Sequence, residues 1–107
     1  MKGTVKENRE FRYAYKRGKK IVSSHLVLHY VKNRNPVNKL GINASKLKKA
    51  VDRNRAKRLI RVCYQNCSSE LKQGYNIIFV VRSAMETADI NDVARSMEYC
   101  FRKSDLT

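Results

Sequence analysis

Residues 46–61 carry eight basic side chains and a single acid, Asp52, on a stretch whose apolar residues recur at helical spacing. At about 100° per residue, Ala56, Leu59, Ile60, Cys63 and Cys67 fall on one stripe, which predicts an amphipathic helix over about residues 46–66. Ser45 is its candidate N-cap. Arg53, Lys57 and Arg61 form an i, i+4, i+8 row, Asn54 and Arg58 run beside it, and Arg55 points to the far flank. A helix of this kind needs a core on one side and leaves a broad cationic face on the other. Like charges one turn apart cost a few tenths of a kcal/mol per pair, and only Asp52 is near enough to offset them. A solvated face normally mixes signs. This one lacks its anions.

The whole chain repeats that imbalance. Its 107 residues hold 24 Lys plus Arg against 9 Asp plus Glu, a formal charge of +15, so a polyanionic partner is expected. The length suits one domain, residues 1–107, and the 42% hydrophobic content supports a real core. No apolar run approaches the roughly 18 residues of a membrane span, the longest being residues 77–81. Residues 1–8 lack the apolar segment of a secretory signal, and three cysteines, an odd count, suit free thiols in a reducing cytoplasm. A basic helix on a membrane surface would need exposed bulky apolar residues, but Leu59, Ile60 and Cys63 are wanted by the core. No membrane partner is expected.

The remaining elements follow from punctuation and period. Phe11, Ala14 and Tyr15 predict a first helix over about residues 8–17, with Gly18 as its stop. Residues 24–31 predict a strand with Leu26, Leu28 and Tyr30 on one face and Val27, His29 and Val31 on the other. A turn at residues 33–38 leads to a half-buried strand through Leu40, Ile42 and Ala44. Residues 75–82 are apolar on both faces, as in a central strand. Asp89 is the N-cap of a last helix that buries Ile90, Val93, Ala94, Met97 and Phe101. The order α-β-β-α-β-α predicts an α+β, two-layer α/β sandwich with helices packed on a mixed sheet.

Little in the chain suggests catalysis by the protein itself. Two-metal phosphodiester hydrolysis needs several converging carboxylates, and the close pair Asp89 and Asp92 is explained by capping. Cys63 and Cys67 lie on the core stripe, and no second pair completes a zinc site. No catalytic and no metal-ligating residue is therefore expected. Arg grips phosphate bidentately, Lys acts as a point charge, and Asn54 can pair with a base edge or a 2′-hydroxyl. Lys46, Lys49, Arg53, Asn54, Arg55, Lys57, Arg58 and Arg61 are the candidate nucleic-acid-binding residues. Phe11 and Tyr15, one turn apart, either pack the first helix on the sheet or stack on bases. If the sheet face beside them is open, Phe11, Tyr15, His29, Ser45 and Lys46 would form a cleft for a single strand.

The run Arg53-Asn54-Arg55-Ala56-Lys57-Arg58-Leu59-Ile60-Arg61 resembles the signature of the protein subunit of bacterial ribonuclease P. Asn8-x-x-Phe11, Lys16-x-Gly18, Leu40-Gly41-Ile42, Ser45-Lys46 and Phe101-Arg102-Lys103 are similar in kind and order, so the likeness spans nearly the whole chain. Residues 45–50 are one residue shorter than the family pattern, with Lys48 where Gly is usual. Val62 replaces a frequent Glu, Tyr15 a Phe, and His29 an aromatic. The resemblance implies the fold of the second domain of ribosomal protein S5, with a left-handed β-α-β crossover against the usual preference. It implies a catalytic RNA partner that cleaves precursor tRNA, with Mg²⁺ held mainly by that RNA and no obligatory protein partner. It also implies that the basic helix binds the RNA and that the cleft takes the 5′ leader. A structural RNA-binding protein of the ribosome would share the charge and size but need no cleft.

Overall fold

The computed structural model describes residues 4–107; the first three residues of the N-terminal segment lie outside the described residues. Helix α1 (Asn8–Arg17) stops at Gly18, whose N–H donates to the Ala14 carbonyl at 2.9 Å. A Cβ on Gly18 would come within 2.5 Å of that oxygen and 2.7 Å of the Tyr30 carbonyl, so glycine is what fits the chain between helix and sheet. Strands β1 (Lys19–Val22), β2 (Leu26–Lys32) and β3 (Lys39–Asn43) precede helix α2 (Ala50–Cys67), and β4 (Tyr75–Val81) precedes helix α3 (Ile90–Lys103). The sheet order is β1-β2-β4-β3, antiparallel except for the β3–β4 pair, so α2 is the crossover between two parallel strands. This is the mixed α+β sandwich that the sequence predicts, with one strand more.

The added strand, β1, is short and lies at the sheet edge, where Lys19 and Lys20 face water. Only Ile21 turns inward, too little for a period to register. Two other expectations are corrected. Helix α2 starts at Ala50 with Lys49, not Ser45, at its N-cap, and no side chain caps it. Residues 45–49 instead form a loop because Leu47 is drawn into the core, 3% exposed, after a turn that returns its N–H to the Ala44 carbonyl at 3.1 Å. In α3, Ile90 is 43% exposed and Ala94 faces solvent, while Ser96 takes an inward place by hydrogen-bonding to Ser23 and to the His25 backbone N–H.

The two faces of the sheet are covered unequally. Leu26, Leu28 and Tyr30 of β2 and Ile77, Phe79 and Val81 of β4 meet Ala56, Ile60 and Cys63 of α2 and Val93, Met97, Cys100 and Phe101 of α3 in the main core. Burying each such side chain contributes on the order of 1.5–3 kcal/mol. On the other face α1 alone packs, through Ala14 and Phe11, against Val5, Val31, Ile78 and Val80. Gly41 seats that helix: a Cβ there would lie 2.9 Å from Val5 Cβ and 3.1 Å from Phe11 Cζ. One helix cannot cover four strands, and a groove remains beside it.

Candidate nucleic-acid interface

The groove encloses about 720 Å³ between α1, the end of β3 and the first turns of α2. Phe11 and Tyr15 supply its aromatic wall on α1, with Asn8 and Arg12 beside them one turn apart. Asn43 and Ser45 form the β3 rim, and Arg53 and Lys57 the α2 wall. Asn43 reaches the groove because its parallel pairing opposite Val80 puts it on the face that α1 leaves open. Its Nδ2 donates to Tyr15 Oη at 3.0 Å, and its Oδ1 accepts the Ser45 backbone N–H at 3.0 Å. One side chain thus fixes both the tyrosine and the rim.

The predicted cleft residues come together in part. Phe11, Tyr15 and Ser45 line the groove. His29 stands behind Tyr15, edge-on to its ring with centroids 4.8 Å apart, rather than on the lining. Burial, aided by the Lys20 charge, holds the His29 imidazole below its usual pKa, and its Nδ1 is buried without a hydrogen-bond partner. Lys46 is exposed next to Ser45, outside the lining. Asn8, Arg12 and Asn43 were not singled out from sequence for this site. The first two share the helical spacing of Phe11 and Tyr15 and were legible there. Asn43 required the strand register.

The basic residues of α2 divide by geometry. Lys49, Asn54, Arg58 and Arg61 are exposed on the outer face. Lys57 and Arg53 turn toward the groove, so the cationic face runs into it without a break. Arg53 Nη1 donates to the Leu47 carbonyl at 3.0 Å and the Lys48 carbonyl at 2.7 Å, bracing the loop that leads into the helix. A guanidinium has further donors to offer a phosphate. Arg55 turns to the opposite flank, as the wheel predicts, and Nη2 donates to the Ala88 carbonyl, tying α2 to the segment before α3. Among the described residues no ion pair involves a basic residue of α2.

A continuous basic face opening into an aromatic groove suits RNA, and the comparisons with known proteins decide the family. The family model described as Ribonuclease P matches residues 2–105. The chain belongs to the ribonuclease P family. It is 38% identical over 104 residues to the ribonuclease P protein component of Clostridium botulinum (strain Loch Maree / Type A3), covering 95% of this chain and 94% of that one. The Clostridium perfringens (strain 13 / Type A) component is 39% identical over 111 residues, covering 96% and 89%. Among solved structures, the Staphylococcus aureus RNase P protein at 2.0 Å superposes with a TM-score of 0.88 at 26% identity, covering 97% and 96%. The Thermotoga maritima RNase P protein, 22% identical, shares the fold at a TM-score of 0.84, covering 95% of this chain and 97% of that one. The chain is thus a ribonuclease P protein component, part of a tRNA-processing ribonucleoprotein and so a partner of RNA.

Proposed function

We propose that the chain is the non-catalytic subunit of ribonuclease P, binding the catalytic RNA through α2 and the 5′ leader of precursor tRNA in the groove beside α1. The observation that carries this reading is the continuity of the two surfaces. Arg53 and Lys57 belong at once to the cationic face of α2 and to the wall opposite Phe11 and Tyr15. A single strand in the groove can stack on the aromatics while the lysine and arginine follow its phosphates, and neither contact demands a particular base. Asn54, Arg58 and Arg61 remain for the RNA partner on the outer side. Lys46, at the groove's end, extends the cationic track beyond Ser45.

Phosphodiester hydrolysis is assigned to the RNA, and Mg²⁺ with it. The described residues present no cluster of three His, Cys, Asp or Glu side chains able to hold a metal, and Asp89 and Asp92 spend their oxygens on capping α3. The protein's part is to bind and orient, in the cytoplasm, with precursor tRNA as substrate and no obligatory protein partner. Cleavage of precursor tRNA at low Mg²⁺ tests this with the RNA alone, the protein alone and both together. Cleavage by the pair only is expected; cleavage by the protein alone overturns the assignment. The leader groove has its own test. Tyr15→Ala should weaken precursor tRNA binding to the holoenzyme by about 1–3 kcal/mol and leave mature tRNA nearly unchanged. An unchanged ratio of the two dissociation constants would place the leader elsewhere.

A further inference from the structure

A second cavity, of about 670 Å³, opens between the C-terminal half of α2 and α3. At 100° per residue it lies on the flank of α2 away from Arg58 and Arg61, and nothing in the RNA-binding reading uses it. Cys63 and Cys67, one helical turn apart, both line it, and Met97 faces them from α3. The Cys67 Sγ lies 3.9 Å from Met97 Sδ and 3.4 Å from the Cys63 carbonyl, toward which its thiol points. The Cys63 thiol has only a long contact, 3.8 Å, to the Ile90 carbonyl. The three sulfur-bearing residues therefore line one cavity, the Cys67 and Met97 sulfurs are in contact, and neither cysteine is in a disulfide.

We propose that Cys63, Cys67 and Met97 form a binding site for a soft monovalent metal ion, with Cu(I) the ion that fits. The donor set decides the class. Structural zinc takes four ligands from sulfur, nitrogen and oxygen, and the described residues supply no group of three His, Cys, Asp or Glu anywhere. Thiolate and thioether sulfur together select Cu(I). On binding, each thiol gives its proton to solvent, the ion gains two thiolate bonds and one thioether bond, and no electron is transferred. The bound ion links α2 to α3 and should raise the melting temperature.

The test titrates Cu(I), presented as its bicinchoninate complex without oxygen, into the full chain. One ion per chain should transfer, and copper-edge X-ray absorption of the native protein should show only sulfur neighbours. Nitrogen or oxygen neighbours overturn the site whether or not any variant folds. Met97→Leu keeps the volume of the side chain and both thiols, and should weaken binding at least about ten-fold. Unchanged affinity removes the thioether from the site and the proposal with it. Cys67→Ser should abolish transfer. Cys100→Ala should leave it intact, since that thiol points to Ser23 Oγ at 3.4 Å; loss in this variant counts against the proposal.

Discussion

Helices α2 and α3 lie side by side on the same face of the sheet, yet they are stabilised in different ways. Helix α3 carries its own support. Asp89 Oδ1 accepts the Asp92 backbone N–H at 2.9 Å, Asp92 Oδ2 accepts the Asp89 N–H at 3.1 Å, and Arg95 and Arg102 pair with Asp92 and Glu98. Helix α2 has no side-chain cap and no ion pair among the described residues. It is held by Ala56, Ile60 and Cys63, the one stripe it buries. Stability and function are thereby separated across a single helix: the inner stripe folds it, and the outer face stays free of internal partners so that an external polyanion can supply them.

The largest expected effect tests the inner half of that division. Ile60 is fully buried, and Ile60→Ala should cost about 2–5 kcal/mol in urea unfolding of the isolated protein. A cost under 1 kcal/mol would mean that the stripe does not hold α2. The outer half comes next. Arg58→Ala should weaken binding to the catalytic RNA by about 1–3 kcal/mol and flatten the salt dependence of binding, with unfolding unchanged. An arginine that proved to matter for folding would erase the contrast with α3.

What the sequence revealed follows the same line between local and tertiary causes. The bounds of α1, the Asp89 cap and the apolar stripe of α2 are written in residues close together in the chain, and all were legible. Strand β1 was not, because Lys19 and Lys20 give no strand signal and pairing depends on Gly18 delivering the chain to Tyr30. The loop before α2 reads as helix in sequence, but Leu47 takes its place in the main core, a contact set by residues distant in the chain rather than by its neighbours. Ile90 was misplaced because the sheet contact of α3 is set by Ser96 meeting Ser23, a pairing 73 residues apart. In the groove, Phe11 and Tyr15 announced themselves by type and spacing. Asn43 needed the register of two parallel strands, and the retreat of His29 behind Tyr15 needed the docking angle of α1.

The cap of α3 gives a smaller effect. Asp89→Ala should cost about 1 kcal/mol of unfolding free energy. It should also change the acid limb. Backbone hydrogen bonding at Asp89 holds the Asp92 carboxyl below its usual range, with the Arg95 charge adding to the shift. A depressed folded pKa stabilises the native state above the unfolded value and loses that contribution as pH falls through the folded one. Unfolding followed from pH 6 to pH 2 should therefore fall less steeply in Asp92→Asn than in the native chain. Equal slopes would detach the carboxyl from the cap.

The smallest expected effect has the opposite sign and comes from α2. Lys49 sits at the N-cap with extended backbone, φ −88° and ψ 136°, the geometry from which a serine hydroxyl can accept a first-turn N–H. Lys49→Ser should therefore stabilise the protein, by a few tenths of a kcal/mol to about 1, by filling a cap that the native helix leaves empty. Removing a cation beside the positive end of the helix dipole acts in the same direction. The same change removes a charge from the RNA-binding face, so affinity for the catalytic RNA should fall as stability rises. That pairing separates two explanations for the missing cap. If α2 lacks a cap because its N-terminus must present a cation to RNA, the two effects move oppositely. Stability and affinity rising together would show that Lys49 serves neither, and the contrast between the two helices would shrink to their ion pairs.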